Sequence, residues 1–288
     1  MSQIEIKAYQ LRNEAVKRVS GTNFFKQWFS TDHLGESVEY FKRAGNLFKM
    51  AKNWSQAATA FYDAASLSFK RNDTSEAAFD LIEAANCYKN YDTSKAVESY
   101  LKAINIYEEN SKLITAAKYY QIIAELLEDE FDTKEAVTYY AKAAEIYRKE
   151  CSYSAANKCY EKIAEYAALS QNYVRAVKIF EEIACLDLAS SILKYAAKHY
   201  FFRAAICLLC AGYDVTAKLR TYLNIYPAFE DTREYQLIMC LHECLQVGDI
   251  DGFENAVKKF DSVTELSQWH ITLLLRAKKH IEGAYVLN

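Results

Sequence analysis

The sequence is poor in the residues that interrupt helices. Its 288 residues include one proline and seven glycines. Proline fixes the backbone and removes a hydrogen-bond donor, and glycine favours turns and weakens helix interiors. So few helix breakers over so long a chain predict an almost entirely helical fold.

The chain also lacks a long apolar run. No stretch reaches the roughly 18–20 apolar residues that a bilayer-spanning helix needs, and the N-terminal segment MSQIEIKAYQLRNEAVKR has no apolar core like that of a signal peptide. The formal net charge of −3 excludes a bulk attraction to nucleic acid. We therefore expect a cytoplasmic protein without a nucleic-acid partner.

Catalytic motifs are absent as well. The chain contains no G-x-x-x-x-G-K-[ST], H-E-x-x-H or G-x-S-x-G pattern. Cys207 and Cys210 form CLLC, but the apolar context and the lack of a second pair argue against zinc, and His242–Cys244 has no third ligand nearby. The eight cysteines are better explained as free thiols packed in a core. We expect no enzymatic activity, no cofactor and no metal.

A repeating pattern of small and large apolar residues fills most of the chain. Small residues recur about every twenty positions, each followed by apolar residues at intervals of three and four, which is typical of amphipathic helices. This spacing leaves room only for short turns, so neighbouring helices should be antiparallel. The repeating units begin at Ser37, Ala57, Ala77, Ala96, Ala116, Ala136, Ala156 and Ala176, with weaker copies at Ala197 and Ala217.

Two such units form a repeat of about 40 residues, longer than the 34 of a tetratricopeptide repeat but built alike. The pattern predicts an all-α, TPR-like solenoid of helical hairpins, twisted from one pair to the next, over residues 1–185. The register loosens from about residue 186, with breaks near Pro227, Gly248 and Gly252. We expect residues 186–288 to form a C-terminal helical bundle.

Three lysines share the 40-residue spacing. Lys118, Lys158 and Lys198 should occupy equivalent places on successive like helices, and such helices pack 8–10 Å apart. The spacing therefore predicts a row of positive charge that suits an acidic partner. An ordinary solvated helix surface is the alternative, and periodicity alone indicates only a helical-repeat scaffold.

Several segments of the sequence resemble the alpha-type soluble NSF attachment proteins, or alpha-SNAPs. The resemblance covers nearly the whole chain in the same order. It is carried by NLFKMAKNW (46–54), SAANKCYEKIAEYAAL (154–169), LKYAAKHYFFRAA (193–205), YPAFEDTRE (226–234) and QWHITLLLRAKKHI (268–281).

This resemblance implies an adaptor in vesicle fusion. Members of that family coat the SNARE four-helix bundle of syntaxin-like, synaptobrevin-like and SNAP-25-like helices, and they recruit the hexameric AAA ATPase NSF, which pulls the bundle apart. Basic residues on the concave face bind the acidic bundle, and such contacts are sensitive to salt. The matching positions, together with the lysine row, are Lys52, Lys89, Lys112, Lys118, Lys158, Lys162, Lys198, Arg203 and Arg233.

The resemblance also accounts for a cluster of aromatic residues in TNFFKQWFST. Family members carry a paired phenylalanine in an N-terminal loop that touches membrane, and Phe24 and Phe25 match this pair, with Trp28 and Phe29 beside it. Each phenylalanine that leaves water contributes ~1.5–3 kcal/mol, so a few of them give weak and reversible membrane association. Packing of these aromatics onto the first hairpin is the alternative.

Contact with the ATPase is implied for the C-terminal bundle. Glu243 and Asp251 match acidic positions of the family, and Leu287 matches its leucine beside the chain end. Two features depart from the family pattern: Gln246 and Val247 replace an acidic pair, and EGAYVLN replaces an acidic tail.

Two other interpretations use the same helical repeat. A TPR-like scaffold would bind a short extended peptide in a groove and would not need an assembled bundle. A gamma-type SNAP is the other alternative, although PAFEDTRE and QWHITLLLRAKKHI favour the alpha type.

Overall fold

The computed structural model describes residues 2–20, 31–190 and 192–286, and side chains within them except those of 31–33 and 282–286. Fourteen α-helices and one short 3-10 turn, Pro227–Phe229, account for most of these residues. The all-α prediction is confirmed. The helices are α1 Gln3–Ser20, α2 Thr31–Met50, α3 Trp54–Lys70, α4 Thr74–Tyr88, α5 Thr93–Glu109, α6 Leu113–Asp129, α7 Thr133–Lys149, α8 Tyr153–Leu169, α9 Tyr173–Leu188, α10 Ala197–Cys210, α11 Thr216–Ile225, α12 Arg233–Val247, α13 Ile250–Asp261 and α14 Gln268–Val286.

The predicted small residues from α3 to α9 are buried. From α3 to α9, each repeating unit begins with an alanine at the fourth position of its helix. Alanine permits close approach of a neighbouring helix, while larger apolar residues fill the space beside it. All seven are buried: Ala57, Ala77, Ala96, Ala116, Ala136, Ala156 and Ala176.

Short turns join these helices without glycine. After α6, for example, Phe131 adopts a left-handed backbone with φ of 62°. Its amide donates to the Glu128 carbonyl at 3.0 Å, and the next amide, of Asp132, donates to Leu127 at 2.9 Å, which closes a Schellman motif. The Asp132 side chain then accepts from Glu135 N–H and caps α7. Among the residues that the structure describes, the other non-glycine residues with positive φ are Lys52, Asn72, Ser111, Cys151 and Gln171.

The chain divides into two compact units, Met1–Tyr153 and Ser154–Asn288, whereas the predicted boundary at 185/186 marks the change in repeat pattern. In the first unit, each helix packs against the next from α1 to α7. Alternate helices also touch, because Lys42 in α2 pairs with Glu76 in α4 at 3.0 Å and Lys102 in α5 donates to Tyr62 in α3 at 2.8 Å. The even-numbered helices and the odd-numbered helices therefore form two layers.

The same layering begins the second unit. Tyr200 in α10 donates to Glu161 in α8 at 3.1 Å, and Tyr222 in α11 donates to Glu181 in α9 at 2.7 Å. These partners are 39 and 41 positions apart, which agrees with the predicted repeat of about 40.

A bundle built around α10 completes the second unit. This helix contacts α9, α12 and α14. The C-terminal helix α14 is tied to α8, where Trp269 Nε1 donates to the Glu165 carbonyl at 3.2 Å and Arg276 donates to the Leu169 carbonyl at 2.9 Å. The breaks predicted near Pro227 and Gly248 are present, while Gly252 lies in the first turn of α13, where its amide is bound by Asp249. Among the described residues, no helix combines the length and the apolar character needed to cross a membrane.

Candidate surface for an acidic partner

Two lysines of the predicted row occupy equivalent places. Lys118 and Lys158 are each the sixth residue of their helix, α6 in the first unit and α8 in the second. Both side chains are exposed, and neither forms an ion pair with any residue that the structure describes. Their charges are therefore available to a partner. That all three lysines form one row stays a prediction.

Three further lysines lie at helix ends in the first unit. Lys52 follows α2, Lys89 follows α4 and Lys112 precedes α6, and all three are exposed. A cation at a helix C-terminus is favourable, but one at an N-terminus faces the positive end of the helix dipole. Lys112 occupies such an N-terminus and makes no side-chain capping bond. Helix stability therefore does not explain a lysine at this position.

Arg203 is neutralised inside the second unit. Its guanidinium pairs with Glu161 at 2.7 Å and Glu165 at 2.8 Å, and only 15% of the side chain is exposed. It also lies over the Trp269 ring at 5.5 Å. Burial raises the pKa of Glu165, and the Arg203 charge opposes that rise. Arg203 thus links α8 to α10, and little of its charge reaches solvent.

Lys198 is paired as well. It is the second residue of α10, and its ammonium lies 2.8 Å from a carboxylate oxygen of Glu234 in α12. His199 Nδ1 lies 3.4 Å from the same oxygen, and burial lowers the pKa of that histidine. Lys162, on the same helix as Lys158, is half-buried and lies near Glu165. The basic residues predicted to bind an acidic partner therefore differ within this unit: Lys158 is exposed, whereas Lys198 and Arg203 are paired with internal carboxylates.

Arg233 is exposed at the first position of α12. It borders a cleft of about 320 Å³ between α12 and α13, together with Lys259, Cys240 and Phe260. The adjacent Glu234 is buried. The first turn of α12 thus directs a cation to solvent and an anion to the interior.

The two acidic residues predicted to contact the ATPase flank one turn. Glu243 lies in α12 and Asp251 in the first turn of α13, and both are exposed. Val247, four residues after Glu243 and thus on the same side of the helix, is 76% exposed. The replacement of an acidic family residue by Val247 therefore adds apolar surface between two acidic positions. Leu287 lies outside the described residues, as do Phe24, Phe25, Trp28 and Phe29.

The cysteines do not form a metal site in the part of the chain that the structure describes, where no group of three potential ligands occurs. Cys207 and Cys210 are buried, and Cys210 donates to the Leu273 carbonyl at 3.0 Å. Burial raises the pKa of Cys210 to about 12. His242, in the HEC stretch, is also buried and lies 3.5 Å from Asp214. Cys207, Cys210 and His242 are therefore part of the interior of the bundle.

Sequence reasoning missed the acidic partners of the paired cations. Glu161 and Glu165 are 42 and 38 positions before Arg203, and Glu234 is 36 positions after Lys198. A search for opposite charges about one repeat apart would have indicated these pairs.

Known proteins share this chain's pattern over nearly its whole length. The family model described as "Soluble NSF attachment protein, SNAP" matches residues 6–282. The beta-soluble NSF attachment protein of Bos taurus and the alpha-soluble NSF attachment protein of Homo sapiens are each 39% identical over 284 residues; these alignments cover 97% of this chain, with 95% of the bovine and 96% of the human protein. The alpha-soluble NSF attachment protein of Vitis vinifera is 34% identical, and the alignment covers 95% of this chain and 94% of the Vitis protein.

Solved structures agree with the fold. A signal-transduction ATPase with a tetratricopeptide repeat sensor, from Pyrococcus horikoshii, aligns with a TM-score of 0.53 at 15% sequence identity. The alignment covers 95% of this chain and 44% of the Pyrococcus chain. This likeness confirms a TPR-like helical fold and nothing more specific. The family match and the full-length relatives confirm the resemblance seen in the sequence: the chain belongs to the soluble NSF attachment protein family.

Proposed function

We propose that this chain is a non-catalytic adaptor that binds assembled SNARE four-helix bundles and attaches the ATPase NSF to them for ATP-dependent disassembly. Membership of the attachment protein family supports the role. The observation that carries the binding mode is the pair of exposed lysines, Lys118 and Lys158, which form no ion pair with the described residues and occupy equivalent positions of two even-numbered helices. An acidic bundle can neutralise such charges without breaking an internal ion pair.

A disassembly assay tests this proposal. Purified SNARE complex and NSF should release free SNARE helices with ATP only when this chain is added.

Lys118→Glu combined with Lys158→Glu should abolish pull-down of the SNARE complex while leaving the helical circular dichroism signal intact. Lys134→Glu with Lys178→Glu is the matched control, because it makes the same charge change at exposed positions of the odd-numbered helices α7 and α9. Retained binding by the first variant at physiological salt would refute the basic surface.

The membrane contact is part of the same proposal. Phe24 and Phe25 would add weak affinity for lipid, which matters once SNARE binding has raised the local concentration at the membrane. Phe24→Ser with Phe25→Ser should slow disassembly of SNARE complexes in liposomes and leave soluble complexes unaffected. Equal slowing of both would contradict a membrane role and would indicate damage to the fold.

We also propose that the α12–α13 turn and the chain end contact NSF. Glu243 and Asp251 supply exposed negative charge there, and Val247 supplies apolar area where the family has acid. Deleting Leu287 and Asn288 should lower ATPase stimulation more than it lowers SNARE binding. Unchanged stimulation would place the contact elsewhere.

A further inference from the structure

A lysine and a histidine at the start of α10 share one buried carboxylate. Lys198 and His199 are the second and third residues of that helix, and both point a nitrogen at Glu234 Oε1. Cations at this end of a helix are disfavoured by its dipole, and the preceding residue, Ala196, makes no side-chain cap. Glu234 compensates for this arrangement, and its own place in the first turn of α12 suits a negative charge.

The burial of Glu234 makes the pairing difficult to break. The glutamate is 3% exposed, whereas 32% of the Lys198 side chain is exposed. If Lys198 turned towards an external carboxylate, Glu234 would be left as a buried charge without its lysine, which is strongly unfavourable. Lys198 is therefore less available than Lys158, although the sequence spacing makes the two equivalent.

We propose that Glu234 is an internal counter-ion that withholds Lys198 from the acidic partner and so limits the affinity of the second unit's basic surface. The inference rests on the proposed function, because it needs an acidic SNARE bundle as the partner. Glu234 would act as a positioning residue, through Lys198, without contacting the bundle itself. An adaptor that must release its partner after each cycle of disassembly has a use for such a limit.

The test compares variants in binding to a purified, soluble four-helix SNARE bundle over a range of salt concentrations. Glu234→Gln should raise the affinity roughly two- to fivefold at low salt, the effect of about one added charge pair, and should steepen the salt dependence. Adding Lys198→Gln should remove this gain. In the otherwise unchanged chain, Lys198→Gln should change affinity by less than about twofold, and Lys158→Gln should weaken binding more.

Glu181→Gln is the matched control. Glu181 also holds a lysine, Lys218 at 2.8 Å, in the same unit, but it lies on the odd-numbered helix α9. The variant makes the same change in net charge and should leave the affinity unchanged. An equal gain from both variants would indicate a general charge effect and overturn the inference.

Other results separate this inference from the proposed function. Unchanged or weaker binding by Glu234→Gln, with normal binding by the unmodified chain, would overturn the inference alone. Failure of the unmodified chain to bind the bundle would overturn both. If Glu234→Gln does not fold, the comparison of Lys198→Gln with Lys158→Gln tests the inference. Equal losses of affinity for the bundle in these two variants would show that Lys198 is not withheld and would overturn it.

Discussion

The repeat helices α2–α9 and the bundle α10–α14 bury their side chains in different ways. In α5, six of seventeen residues are buried and two of these are alanines. In α10, ten of fourteen are buried, including Phe201, Phe202 and three larger aliphatics. A helix that is apolar on nearly every side needs neighbours all around it, and α10 contacts α9, α12 and α14. Each helix of the repeat buries its apolar side chains mainly against its neighbours along the chain. The helices of the bundle bury theirs around one central helix, α10.

This difference predicts how far a defect spreads. In repeat architectures stability is roughly a sum of unit and nearest-neighbour contributions, so damage stays local. A central helix is shared by several others, so damage there should loosen all of them. Phe61 in α3 and Phe201 in α10 allow a direct comparison, because both rings are almost completely buried.

Phe201→Ala should have the largest effect. The ring stacks on Tyr222 at 4.5 Å and packs against Phe229 at 5.8 Å, so the truncation should cost about 3–5 kcal/mol in the free energy of unfolding. Urea denaturation measures that loss. Hydrogen exchange should increase in α10, α11, α12 and α14 together.

Phe61→Ala sharpens the comparison. It removes a ring of the same size, but its faster exchange should be confined to α2, α3 and α4. Phe131→Ala, at an exposed position, should leave both measurements unchanged. A local response to Phe201→Ala, or a response to Phe61→Ala across the first unit, would show that the two regions do not differ in this way.

Buried carboxylates distinguish the two compact units, Met1–Tyr153 and Ser154–Asn288. In the second unit, Asp187 accepts a hydrogen bond from Asn157 at 2.7 Å, and Glu234 pairs with Lys198. In the first unit, Asp80 is fully buried in α4, and neither of its oxygens has a hydrogen-bond partner among the described residues. Burial raises the pKa of Asp80 to about 7, with Lys42 opposing the rise and Glu76, Glu39 and Glu83 adding to it.

Asp80 should therefore make stability depend on pH. Below about pH 4 it is protonated in both the folded and the unfolded state, so folding carries no penalty from its charge. Between about pH 4 and 7 the unfolded state releases the proton first, and the free energy of unfolding should fall by about 2–4 kcal/mol in total. Above the folded pKa the loss is complete. Asp80→Asn should flatten this decline and raise the stability at pH 8, as measured by urea denaturation across the range.

Asp73→Asn is the control for this experiment. Asp73 caps α4 by accepting from Glu76 N–H, and asparagine caps α3 and α9 in the same manner. The control should keep the decline with pH that Asp80→Asn removes. An unchanged decline in Asp80→Asn would mean that other groups cause it.

The sequence predicts local features well and charge pairing poorly. Periodicity predicted the helices and the buried alanines, because both depend on spacing along one helix. The same spacing made Lys158 and Lys198 equivalent, although one is exposed and the other is paired with Glu234. That difference depends on α12, which lies outside the repeat. Arg203 likewise matched a family binding position, yet two carboxylates of α8 neutralise it.

Turn chemistry is the subtlest difference between the two regions. The repeat turns place ordinary residues in the left-handed conformation, and Phe131, which is 89% exposed, is one example. In the bundle, Gly212 after α10 and Gly248 after α12 serve the same purpose, with φ of 72° and 76°. A side chain at such a position costs roughly 1–2 kcal/mol, whereas glycine avoids that strain but is more disordered in the unfolded chain.

Phe131→Gly and Gly212→Ala should therefore shift stability in opposite directions. Phe131→Gly should raise the free energy of unfolding by up to about 1 kcal/mol, because it relieves the backbone strain. The greater disorder of glycine in the unfolded chain offsets part of that gain, and the exposed side chain that is removed contributes little. Gly212→Ala should lower it by about 1 kcal/mol, and the cost is one of backbone conformation, because the new methyl group would lie an ordinary 3.8 Å from His280. Thermal unfolding of the two variants measures both shifts. A loss of stability in Phe131→Gly would show that the aromatic side chain stabilises the repeat turn, and that the repeat gains from its ordinary residues more than the strain costs.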